Sequence, residues 1–141
     1  MPFDPNQISP CGKTYAQIDA DKSRYVADAN EALLNHRQSG ARWWIYTVSH
    51  STFELVVGNP LGDKNIVLCL NACDRIAGPV SWDPQKLEVI FHCDRNVNDA
   101  WGFVIRDQSV AFEVQGGSFG WRENYNMVKY GSIYVPRPDG I

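Results

Sequence analysis

The period of the hydrophobic positions changes near Gly40, and the two parts of the pattern predict different structures. Upstream, Ile18, Tyr25, Val26, Ala29, Ala32 and Leu33 fall on one stripe about 120° wide at roughly 100° per residue. Arg24, Asp28, Glu31, Asn35 and Gln38 lie opposite. This is an amphipathic helix with one buried face, ending at Gly40. Its start is open between Thr14 and Ser23: Thr14-Tyr15-Ala16-Gln17 matches a capping box, while Asp19, Asp21 and Ser23 are competing caps. Ahead of it, Met1 to Lys13 holds three prolines and little periodicity, so an extended arm on the surface is expected.

Downstream the period becomes two, and β-branched and aromatic residues fill runs bounded by turn formers. The expected strands are Arg42 to Ser49, Phe53 to Val57, Asn65 to Ala72, Ile76 to Trp82, Leu87 to Cys93, Trp101 to Arg106 and Ser109 to Gln115. Short loops imply antiparallel neighbours. A two-residue loop at Asp107-Gln108 would pair Ile105 with Val110, Phe103 with Phe112 and Trp101 with Val114 on one face, and since Asp-Gln is not the favoured Asn-Gly type, a shift by one or two residues is the alternative. The fold class is therefore α+β, one N-terminal helix packed on a curved antiparallel meander of about six to seven strands. One domain is expected over 1–141: the arm to 13, a helical region 14–40, the sheet 41–115, and a loop-rich segment 116–141. In that last segment Gly116 to Gly120 reads as a flexible loop with left-handed positions, and Ser132 to Val135 as a possible last strand.

Ile66 to Leu70 and Val89 to Phe91 are apolar at consecutive positions, whereas Phe53-Glu54-Leu55 alternates. Central strands covered on both faces follow, and one helix covers only part of one face. The second cover comes from sheet curvature, from the chain after Gly116 folding back, or from a twin subunit, giving a homodimer.

Composition narrows the classes of partner. Lys plus Arg number 13 against 16 Asp plus Glu, a formal charge of −3. That lacks the basic footprint of a nucleic-acid binder. No apolar run reaches the ~18 residues of a membrane span, and the start has no signal-peptide pattern. A cytoplasmic protein with reduced cysteines is expected.

Each arrangement that could carry chemistry meets a geometric objection. Cys69, Cys73, His92 and Cys93 are zinc-ligand types. On a continuous strand, however, Cys69 and Cys73 would lie about 13 Å apart, and His92 and Cys93 would face opposite sides, so no metal is expected unless the strand breaks at Asn71. A thiol nucleophile would use Cys73 or Cys93 with His50 or His92, but both cysteines precede Asp-Arg, whose charges act on a thiol in opposite directions. His50 with Ser49, Ser51 and Asp63 or Asp74 offers the parts of a Ser-His-Asp arrangement, yet neighbours in a tight turn do not converge on one site. The glycines at 116–120 lack the Gly-Lys-Ser/Thr ending of a phosphate loop, and no cofactor is expected.

The feature furthest from average is the aromatic content, with five tryptophans, six tyrosines and six phenylalanines. Trp43 and Trp44 are sequential and face opposite sides of a strand. Trp82 and Trp121 end their segments beside polar residues, where a ring lines a pocket rim or a partner surface. A helix on a curled meander is similar in outline to cystatin-like and cone-shaped folds, and such sheets hold pockets on the concave face. The candidate lining is Trp44, Tyr46, Trp82, Phe91, Trp101, Phe103 and Phe112, with His92, Arg95 and Asp99 as polar members and weak catalytic candidates. Two functions follow: a non-catalytic interaction module with a protein partner, or a small-ligand pocket protein or small enzyme of the cone type. A sealed core favours the first, and a cavity with convergent polar groups favours the second.

Overall fold

A computed structural model describes residues 4–47, 51–94 and 100–133, leaving aside the side chains of Asp94, Ala100 and Trp101. The helix α1 spans Tyr15–Leu34. Thr14 caps it with a complete capping box: its hydroxyl accepts from the Gln17 N–H at 3.2 Å, and Gln17 Oε1 accepts from the Thr14 N–H at 2.9 Å. The arm is tied to this end, with Tyr15 and Ala16 donating their N–H groups to the carbonyls of Gln7 and Pro5. The α-helix stops short of Gly40. Asn35 and His36 donate to Ala32 and Leu33 through tight i→i−3 bonds, and these turns bring His36 inward, where Nε2 meets Glu123 at 2.9 Å.

Val26, Ala29, Ala32 and Leu33 are buried as the stripe requires, while Tyr25 sits at its margin. The polar side of the helix does unexpected work at Asn30. Its amide nitrogen donates to the Val89 carbonyl and its oxygen accepts from the Val89 N–H, both at 2.8 Å. Val89 lies on β6 (Leu87–Asp94), the edge of its sheet, so Asn30 supplies the pairing of an absent neighbouring strand. Asn30→Ala leaves two backbone groups of a buried residue unpaired, and a stability loss of about 2 kcal/mol is expected by chemical denaturation. Asp28→Ala, an exposed change on the same helix, should stay within about 0.5 kcal/mol.

The other strands are β1 (Ala41–Thr47), β2 (Thr52–Gly58), β3 (Asn65–Asn71), β4 (Arg75–Ala77), β5 (Ser81–Trp82), β7 (Ala100–Asp107), β8 (Phe112–Gly116) and β9 (Ser118–Glu123), followed by the short helix α2 (Met127–Tyr130). All pairings are antiparallel, as expected, but they form two sheets, ordered β5-β1-β2-β3-β9 and β4-β8-β7-β6. The sheets share a corner. The β3–β9 register pairs Asn71 with Ser118, and the β4–β8 register resumes with Arg75 opposite Gln115, leaving one extra residue on the first side. Ala72 takes a left-handed φ of 52° there, and Gly117 N–H still donates to the Asn71 carbonyl at 2.8 Å. The corner is thus a bulge in one long antiparallel ladder, β3–β4 against β8–β9, which bends the meander over on itself.

Four local expectations are corrected. Ile76 to Trp82 is not one strand: Gly78 turns the chain at φ +120°, where a Cβ would stand 2.6 Å from Phe112 Cα, so β4 and β5 fall in different sheets. The segment after Gly116 forms β9 rather than a loop. Gly116 is needed there for close approach, since a Cβ would lie 2.8 Å from the Asn71 carbonyl. Ser132 and Ile133 are not in a strand, and Tyr134 and Val135 lie outside the described residues. The β7–β8 hairpin also shifts: Ile105 faces Val114 and Asp107 faces Phe112, because Asp107 Oδ1 accepts from the Ser109 N–H and Ala111 adopts φ 55° in a longer loop. The shift is even, so the large apolar residues keep their face.

One face of the bent meander and the buried stripe of α1 share a single core, including Leu33, Phe53, Leu55, Leu68, Phe103, Ile105 and Phe112. The outer face of β2 and β3 carries a second cluster, where Val56 and Val67 meet Tyr125 and Met127. The second cover anticipated from the strand pattern is therefore supplied by the chain's own C-terminal segment. Among the described residues no helix is long and apolar enough to cross a membrane.

Candidate functional site

The bend leaves an opening between β1 and β4, on the side away from the helix. It is a groove of about 350 Å³ lined by Trp43, Tyr46, Cys73, Asp74, Arg75 and Ile76. Its location follows from the pairing. β5 pairs with Ala41 and Arg42 of β1 and the Val80 carbonyl accepts the Trp43 N–H, so that strand is an edge from Trp44 onward, and β4 is an edge of the other sheet. Trp43 forms the inner wall, packing edge-on against Phe53 at 5.1 Å between ring centres. Tyr46 is 44% exposed at the rim. Arg75 pairs with Glu113 at 3.4 Å, leaving Asp74 and the arginine as adjacent opposite charges beside the apolar wall.

Of the residues expected to line a concave pocket, four become core. Trp82 stacks on Phe112 at 4.3 Å and donates its indole N–H to Asp107 at 2.9 Å. Phe91 meets Phe103 at 5.2 Å, and Phe103 meets Phe119 at 5.8 Å. These rings fill the concave side. Trp44 is separated from them by a bulge in β1: Trp43 pairs with Leu55 and Ile45 with Glu54, so Trp44 is the extra residue and joins the outer cluster, with the Arg42 guanidinium 5.2 Å from its ring centre. Trp43 and Trp44 thus face opposite sides as expected. Among the described residues of that expected lining, only Tyr46 reaches the groove. Arg95, Asp99, His50 and the Trp101 side chain lie outside the described residues.

His92 is exposed on the outer face opposite Gly102, beside a shallow hollow of about 190 Å³ shared with Asp74 and Gln115. The thiols are dispersed. Cys93 donates to Asp19 of α1 at 3.5 Å, and the Cys73 thiol donates to the Leu70 carbonyl at 3.4 Å. Burial pushes the Cys73 thiol up to about 11, so it is protonated at neutral pH and poor as a nucleophile. The strand does break after Asn71, yet among the described residues no group of three or more metal-ligand side chains forms.

Sequence reasoning missed the most unusual ionisable group. Glu54 is fully buried in the middle of β2, between Ile45 and Cys69 on the neighbouring strands. Its Oε1 accepts the Ile133 N–H at 2.7 Å, while Oε2 is buried without a partner. Burial raises its carboxyl above the ordinary value, against the lowering effect of hydrogen bonds from Ser132 and Ile133. Phe53-Glu54-Leu55 shows only alternation, and the aperiodic segment that covers the glutamate gives no pattern to read. Asp107 is also fully buried. Burial works to raise its carboxyl, but hydrogen bonds from Ser109 and Trp82 hold it below the usual range.

No family model, curated protein or solved structure matches the chain.

Proposed function

We propose that the protein is a non-catalytic cytoplasmic interaction module that docks a protein partner at the β1–β4 groove. The observation that carries this reading is the filled concave side: the rings that could have lined a ligand chamber pack against one another, and the β1–β4 groove, one of several surface recesses, opens between two strand edges. A groove with an apolar aromatic wall and adjacent opposite charges suits an extended peptide segment, whose side chains and backbone both find complements at a sheet edge. The described chemistry of the groove is consistent with binding alone, since its thiol is held protonated and no base is hydrogen-bonded to it.

Selection of displayed random peptides on the wild-type protein tests the reading. The selected peptides should lose at least tenfold in affinity on Tyr46→Ala, an exposed change that leaves the core intact. Peptides indifferent to Tyr46 and Arg75 would remove the groove as the docking site. A fragment screen by NMR whose shifts converge on Trp43 and Tyr46, with no peptide selected, would favour the small-ligand alternative.

A further inference from the structure

We propose that residues 125–133 form a strap over the outer sheet face, and that its end at Ile133 stays closed while Glu54 is protonated and lifts when Glu54 ionises. The strap is fastened unequally. At its root, the Asn65 amide donates to the carbonyls of Tyr125 and Asn59 at 2.8 and 2.6 Å and accepts from the Tyr125 N–H at 3.0 Å. Met127 adds a bond to the Pro60 carbonyl at 2.8 Å, and the Asn126 side chain caps α2. None of these groups titrates. At Ser132 and Ile133 the strap instead rests on the Glu54 carboxyl, through the Ile133 N–H and Ser132, alongside one bond from the Tyr125 hydroxyl to the Ser132 carbonyl at 3.4 Å.

The surroundings of that carboxyl decide the direction. β1 presents Ile45, β3 presents the buried Cys69 thiol, and the neighbouring pair on the same face is Thr52 with Asn71, bonded to each other at 2.9 Å. From the strap come the phenols of Tyr125 and Tyr130 in the outer cluster. The nearby cations are directed at those rings: Arg122 lies 5.3 Å from the Tyr125 ring centre and Lys129 lies 5.2 Å from that of Tyr130. Among the described residues no cation pairs with Glu54. An ionised Glu54 has therefore lost its water without gaining a counter-charge, and one of its oxygens has no donor. Lifting Ile133 admits water and relieves that cost.

The closed form holds the proton more tightly than the open form, in which the carboxyl has its ordinary value. Closure is thus fully favoured below the ordinary glutamate value and is lost as pH rises through the raised one.

Amide exchange at Ile133, corrected for the intrinsic pH dependence of exchange, reads the strap directly. Its protection in the full chain should fall at least tenfold between pH 4 and pH 8, while protection at Tyr125 changes little. In Glu54→Gln, Ile133 should stay protected across the range. Protection independent of pH in the wild type, or the same fall in Glu54→Gln, would overturn the proposal. If Glu54→Gln does not fold, the wild type still decides: the Glu54 carboxyl carbon and the Ile133 amide nitrogen must titrate with one midpoint, and separate midpoints would overturn it.

Discussion

Phe112→Ala is expected to cost about 3–5 kcal/mol in chemical denaturation, the range for deleting a buried aromatic ring. The ring is 1% exposed and lies where both sheets meet, against Trp82 at 4.3 Å, Phe53 at 6.1 Å and Trp43 at 6.5 Å. Three elements that contribute those partners cannot collapse together into one void, because Trp82 is also held by its bond to Asp107. Phe112→Leu keeps most of the volume and should cost under about 1.5 kcal/mol. Tryptophan emission should shift in the alanine variant before unfolding, since two of the ring's neighbours are indoles. A loss below about 1 kcal/mol would mean that the sheets do not close on this residue.

Leu33→Ala should cost about 2–5 kcal/mol, and Leu34→Ala less than about 0.5 kcal/mol. The two changes are identical in chemistry and nearly so in helix propensity, so their difference isolates burial. Leu33 is 5% exposed within the main core, and Leu34 is 53% exposed at the last helical position. Equal losses would place the helix against the sheet by a different face.

These two positions also show what the sequence could and could not convey. Leu33 belongs to a stripe that repeats over several turns, and the capping box at Thr14 is a local signal, so helix and buried face were legible. The strands were legible for the same reason, through runs of β-branched and aromatic residues. Register was not: the Asp107 side chain lengthens the β7–β8 loop by bonding Ser109, and no periodicity records that choice. The corner was hidden too, because a single bulge at Ala72 is one residue in an otherwise unbroken ladder between distant strands. The candidate site was least legible. Tyr46 was identified and reaches the groove, but Trp43 and Arg75 join it only through the bend, and Trp82 and Phe112 leave it for the core. Asn30, His36 and Glu54 are polar residues whose burial depends on partners between 59 and 87 positions away, beyond any local pattern.

The corner ladder also orders events during synthesis. β1, β2 and β3 form a meander whose turns close loops of a few residues, and β6, β7 and β8 form another. The seam between them joins Asn71 to Ser118, so it must wait for the second meander to leave the ribosome. Until then β3 has an open border, and its run Ile66-Val67-Leu68-Cys69-Leu70 is apolar on both faces. Such a stretch templates association with other nascent chains. Slow translation between β4 and β9 would lengthen that exposure, so the yield of soluble protein depends on how quickly the second half of the chain arrives.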